Sequence, residues 1–210
     1  MSKLVRNIEA MDLDYFQKNA YFVVDFENTG GNLSDGHKIT AVGLCIVQPR
    51  GEKMKITKKF STLINPEREI PEFIEKLIGI KTSQVNNPRY PKVEKIFEKL
   101  EKMFNYDKIF VAHGTKFDYN MYNHLYLQKY RKNLHCVHVD TCKLAKKLFD
   151  INKANIGNMA ELFELDFGRH HQPDFDAYVA SQILIKSLRL LRRKPELLSD
   201  FRTSVSIFNG

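Results

Sequence analysis

The chain reads as one α/β domain built on a mixed sheet, three antiparallel strands followed by parallel ones, with helices on its faces. Three observations lead there. Strand-like apolar runs cluster in the first third of the chain. Strands and helices then alternate, the order that produces a covered parallel sheet. At 210 residues with 43% hydrophobic positions, the chain can bury one sizeable core.

The elements follow in order. Residues 1–19 form an amphipathic, charged leader without a signal-peptide core. Segments 20–27, 38–48 and 55–65 are β-rich, and the first two are joined by the turn-forming NTGGNLSDGHK. A helix is expected at 71–78, with Pro71 in its first turn. A second covers 91–105, where Val93, Ile96, Phe97, Leu100, Met103 and Phe104 keep the spacing of one apolar face. Then come a strand at Ile109–Ala112, a helix at 117–130, a strand at Cys136–Asp140 and a helix at 141–149. Helices at 155–164 and 174–193 close the domain, taken as 20–194, and 195–210 is a tail.

Several classes are excluded. The longest apolar run, Val42 to Val47, is far too short to cross a bilayer. With neither membrane span nor signal peptide, a cytoplasmic protein is expected. Cys45, Cys136 and Cys142 do not make a disulfide framework. Cys136-x-His138-x3-Cys142 lacks a fourth ligand at zinc spacing, so zinc is set aside. The net charge of +8 suits a polyanionic partner, with clusters such as Lys53/Lys55/Lys58/Lys59 and Arg189/Arg192/Arg193/Lys194.

The chemistry starts at VVDFENTGG, where Asp25 and Glu27 follow a buried-looking strand. Residues two apart share a strand face, which places these α-carbons about 7 Å apart. Two like charges there are unfavourable when desolvated unless a cation lies between them. Asp118, near a helix start in VAHGTKFD, and Asp176, opening the last long helix, could join them in an oxygen-only cluster. Such a cluster selects Mg²⁺ or Mn²⁺ over zinc.

These segments together resemble the DEDDh 3′–5′ exonucleases, the DnaQ-like superfamily with the ribonuclease H-like fold. VVDFENTGG is similar to the family's D-x-E-T-T-G, VAHGTKFD to its second motif, and HQPDFDA to its H-x4-D. IPEFIEKLIGIKTSQV and VDTCKLAKKLF match its intermediate segments. The resemblance covers roughly residues 20–190 and implies Asp25, Glu27, Asp118 and Asp176 as ligands of two divalent cations. It implies His171 as general base. Gln172 stands where the sister group carries Tyr, and His170 is adjacent. Phe26, Asn28, Thr29, Gly30, His113 and Phe117 become candidates to meet the terminal nucleotide. In an ideal strand Phe26 points away from the acids, so core packing competes with base stacking there. Asn28 replaces the family's first Thr, and Gly114 its usual Asn.

The implied activity is metal-dependent removal of nucleoside monophosphates from single-stranded 3′ ends. DNA is favoured because the first and middle motifs resemble the proofreading exonuclease of bacterial DNA polymerase III. An RNA-trimming enzyme like RNase T or oligoribonuclease, or a non-catalytic polymerase-associated subunit, are the alternatives. A DNA polymerase or a sliding clamp is a candidate partner. Ser204–Phe208 resembles the clamp-binding pentapeptide without its Gln, or is a tail packed on its own domain. Oligomeric state is open.

Overall fold

The computed structural model describes residues 7–165 and 172–209. Its sheet has six strands: β1 (Tyr21–Asn28), β2 (Ile39–Arg50), β3 (Lys53–Leu63), β4 (Ile109–Ala112), β5 (His135–Asp140) and β6 (Val205–Asn209). Their order is β3-β2-β1-β4-β5-β6. β2 runs antiparallel to both β3 and β1; β1, β4 and β5 run parallel, and β6 returns antiparallel to β5. The expected mixed sheet is present.

The helices are α1 (Leu13–Lys18), α2 (Glu72–Ile78), α3 (Thr82–Val85), α4 (Val93–Phe104), α5 (Lys116–Tyr130), α6 (Thr141–Leu148), α7 (Ile156–Leu162), α8 (Pro173–Arg193) and α9 (Leu198–Arg202). Pro71 stands just before α2, at its N-cap, instead of inside its first turn. Gly79 ends that helix in the left-handed region, at φ 70°, where a glycine costs least.

Alternation along β1 divides the core in two. Tyr21 and Val23 pack with Cys45, Val47 and the α8 residues Val179, Ile183 and Leu184. Phe22, Val24 and Phe26 pack on the other face, with Leu100 and Phe104 of α4 and Tyr122 of α5. The period of two therefore carries Asp25 and Glu27 to the α8 face.

The described parts of both flanking segments are built into this frame. Phe16 of α1 is fully buried, its ring centroid 4.7 Å from that of Phe201 in α9. Gln17 donates to the Leu188 carbonyl of α8 at 2.7 Å. In β6, Phe208 is sandwiched between Tyr119 and His138, with centroids 3.9 and 3.8 Å away. Val205–Phe208 is thus part of the sheet edge, with Ser204 in the turn before it, and not a free pentapeptide. Among the described residues no helix is long and apolar enough to cross a membrane.

Candidate active site

β1 is longer than the strand beside it, and the site occupies the difference. On β1, β4 pairs with Tyr21, Phe22 and Val23 alone, then ends at Ala112. Beyond that point the Phe26 N–H donates to Asp118 Oδ1 of α5 at 2.9 Å. Asp118 thereby takes over a ladder position and brings its carboxyl to the acid pair. It is buried, with 4% of its surface exposed.

Asp176 arrives from the opposite side. Gly43 of β2 is the register partner of Asp25, and the first turn of α8 lies directly on it. A β-carbon at Gly43 would stand 1.8 Å from the Pro173 carbonyl oxygen. Only a residue without a side chain permits this approach. The result is a group of ligand atoms from Asp25, Glu27 and Asp176, all within 4.8 Å of one another.

Crowding and burial push every member toward its protonated form. Burial raises Asp25 well above the usual range, helped by Asp118, Asp176 and Glu27. Glu27 rises to about 8, from burial first and then Asp176 and Asp118. Asp176 rises to about 7 through burial and Asp174. Asp118 also reaches about 7 because burial outweighs its bond from the Phe26 N–H. Among the described residues, Asp176 Oδ1 is buried without a hydrogen-bond partner. An orphaned carboxylate oxygen inside a like-charged, all-oxygen group fits a hard divalent cation.

The remaining candidates divide by placement. His171 and His170 lie outside the described residues. Phe26 is buried on the α4–α5 face, away from the acids. Asn28 is buried and braces its own turn: Oδ1 accepts from Gly30 N–H at 2.8 Å, and Nδ2 donates to the Gly31 carbonyl at 2.9 Å. Thr29 is buried, its Oγ1 accepting from the Lys38 N–H at 3.0 Å. His113 donates from Nε2 to the Ala154 carbonyl at 2.6 Å, while Nδ1 lies 3.0 Å from Thr141 Oγ1. Burial lowers its pKa. Phe117, by contrast, is 46% exposed at the start of α5. Asp140 caps α6 through the Cys142 and Lys143 N–H groups, and it also accepts from Gly114 N–H, steadying the loop before α5.

Gly43 is the functional position that sequence reasoning missed; a glycine inside an apolar strand was the available signal. The His37 ring lies against Gly30, Gly31 and Thr29 and braces the turn after β1. No pattern in the sequence marks this histidine.

Carboxylates gathered at the carboxyl end of the first strand of a mixed sheet, with helices on its faces, make a candidate metal site. The chain belongs to the RNase T exonuclease family, whose model matches residues 22–184. It is 32% identical over 180 residues to DNA polymerase III subunit epsilon of Aquifex aeolicus, spanning 85% of each chain. It is 30% identical over 181 residues to the 3′-5′ exonuclease DinG of Bacillus subtilis, 85% of this chain but only 18% of that protein. Among solved structures, the nuclease domain of 3′hExo, described as a DEDDh family member bound to rAMP, superposes with a TM-score of 0.62 at 18% identity. That match covers 84% of this chain and 94% of the other. Exonuclease X in complex with 5′ overhanging duplex DNA gives 0.60 at 19% identity, covering 87% and 99%.

Proposed function

We propose that this protein is a metal-dependent 3′–5′ exonuclease that releases nucleoside monophosphates from single-stranded ends, with DNA as the favoured substrate. The observation that carries the reading is the group of three carboxylates within 4.8 Å, completed by Asp118. Asp25, Glu27, Asp118 and Asp176 would hold two divalent cations, Mg²⁺ or Mn²⁺, which supply Lewis-acid activation of water and stabilise charge on the phosphoryl group.

The residues of the chain set the conditions for that chemistry. Uncompensated, four acids repel a phosphodiester, so the site accepts one only when its own charge is neutralised. Docking of α8 on Gly43 and of Asp118 on the β1 backbone fixes the carboxylates before substrate arrives, which lowers the reorganisation needed. His171 is our candidate to take the proton from the attacking water, since an imidazole pKa lies near working pH. Phe117 stands exposed one residue before Asp118 and offers a ring for the terminal base. Gly30, at φ 141°, is our backbone candidate to meet the terminal nucleotide.

The preference for DNA rests on the likeness to subunit epsilon over most of both chains. The same likeness makes a DNA polymerase our candidate partner. An RNA-trimming enzyme is the second reading, favoured by the superposition on a nuclease domain bound to rAMP. Single-stranded DNA and RNA labelled at the 5′ end, incubated with Mg²⁺, Mn²⁺ or EDTA, separate these readings. We expect a metal-dependent ladder shortening from the 3′ end, faster on DNA. A faster ladder on RNA selects the second reading, and binding without cleavage in either metal removes both.

A further inference from the structure

Beyond the carboxylates, the molecule carries a cleft of about 570 Å³ between β3, α4 and the turn that precedes α4. Its walls interleave two rings, Phe60 and Tyr90, with four exposed cations, Arg89, Lys95, Lys99 and Lys102. Lys99 Nζ lies 3.8 Å from the centre of the Phe60 ring, and the Arg89 guanidinium lies 4.9 Å from that of Tyr90. Lys95, Lys99 and Lys102 follow one another at i, i+4 and i+7, so they form a single stripe along α4. Glu98 is the carboxylate on the same wall.

The four cations outnumber the one carboxylate beside them. Lys92, just before α4, is paired with Glu67 at 2.6 Å. None of the four cleft cations has an ion-pair partner among the described residues. Edge protection accounts for lysines on β3, the outermost strand on its side. It does not account for a helix stripe and an arginine laid over rings. Cations alternating with aromatic faces are the chemistry of a single-stranded nucleic acid track, where rings take bases and charges take phosphates.

The cleft lies on the α4 face of the sheet, across the β3 edge from the carboxylates on the α8 face. Asp25, Gly43 and Ser61 are in register across the sheet. The β3 rim at Ser61 is therefore two strand spacings, about 10 Å, from Asp25. Phe60, the next residue on β3, turns to the α4 face, so a strand running from the site to the cleft passes over this edge. On the α8 side of the same rim, Lys59 Nζ lies 4.1 Å from the centre of the Tyr178 ring, so basic and aromatic groups continue over the edge.

We propose that this cleft holds the strand trailing 5′ of the terminus seated at the carboxylates. The proposal rests on the nuclease reading and adds the surface that grips the rest of the substrate. Binding should be measured in EDTA, where no cleavage occurs, with fluorescent single-stranded twenty-nucleotide DNA and RNA over a salt series. The protein variants are Lys95→Gln/Lys99→Gln/Lys102→Gln and Arg89→Gln, whose exposed positions should leave melting temperature unchanged. For the triple variant we expect at least about tenfold weaker binding at low salt and a log K against log salt slope smaller by about 2, at about 0.7 per phosphate contact. Arg89→Gln should lose a smaller share in the same direction. In Mn²⁺ the triple variant should cleave a trinucleotide at the wild-type rate and the longer strand more slowly. Wild-type affinity and slope in the triple variant would overturn the proposal, as would wild-type protein that binds an acidic polypeptide and not the strand. If neither length is cleaved yet the binding difference persists, the cleft stands and the nuclease reading falls. Cleavage of both lengths with no binding difference leaves the nuclease and removes the cleft.

Discussion

Asp25 is where catalysis and stability oppose each other most directly. Its carboxyl is held toward the protonated form by burial and by three neighbouring acids, so ionising it without a cation costs free energy. Asp25→Asn keeps the shape and deletes the charge. We expect metal-dependent cleavage to fall by about 1000-fold, the size of a few kcal/mol of lost transition-state stabilisation. The same variant should melt at a higher temperature than wild type in EDTA at pH 8, because the burial and repulsion that penalise ionisation of Asp25 no longer apply. Unchanged turnover, or a lower melting temperature, contradicts this account. At this scale the acids were legible, because residue type, the D-x-E spacing and the motif resemblance together identify them. Asn28 was not. Sequence alone presents it as an odd residue beside the acids, whereas its amide spans the turn between Gly30 and Gly31. Which way a short polar side chain points depends on backbone geometry that pattern does not encode.

The placement of whole elements depends on a few contact points, of which Gly43 is the sharpest. A β-carbon there meets the Pro173 backbone, which is no flexible side chain able to step aside. Gly43→Ala should therefore lift the first turn of α8 and draw Asp176 away from Asp25 and Glu27. Misplacement of about 1 Å can cost on the order of 100-fold in rate. We expect that loss in turnover together with weaker Mn²⁺ affinity by calorimetric titration. Wild-type metal affinity would show that α8 tolerates the methyl group. At the other edge, β6 is anchored through Phe208 on His138, both of whose ring nitrogens are buried without partners among the described residues. Burial lowers the His138 pKa to about 4. The unfolded chain, with a histidine pKa near 6.5, then binds more protons than the folded one between these values. Stability from this group rises with pH across that window and is lost as pH falls through it. His138→Phe should reduce the drop in melting temperature between pH 6.5 and pH 5; an unchanged drop would assign the pH response elsewhere. The long strands and helices were legible because their apolar period runs for several turns. The six residues of α1 and the five each of α9 and β6 are too short to show one, and tertiary partners such as Phe16 on Phe201 define them instead.

For the molecule as a whole, the sequence reported an excess of +8 but not its distribution, and the structure gathers acids at one sheet end while leaving cations unpaired at the β3 rim. That separation gives a linked dependence on pH and metal. Glu27 is raised to about 8, and Asp118 and Asp176 to about 7, against unfolded values near 4. The folded chain thus holds more protons than the unfolded one across that interval. Metal-free stability must therefore fall as pH rises from about 4 through about 8, opposite in sign to the His138 effect. Above pH 6.5 the remaining histidine contribution is small and still raises stability, so a fall between pH 6.5 and 8 reports the carboxylates. A divalent cation competes with those protons and relieves the repulsion, so its stabilisation must grow over the same range. At a metal concentration about 100 times Kd, the gain is about 2.7 kcal/mol. For a chain of this size that is roughly 5–10 °C. We expect melting temperatures in EDTA to fall from pH 6.5 to pH 8, and the increment on adding Mn²⁺ to be larger at pH 8. Asp25→Asn should flatten both trends. Equal increments at the two pH values would mean that the cation binds elsewhere, or that the four acids are not coupled in the way their burial and spacing require.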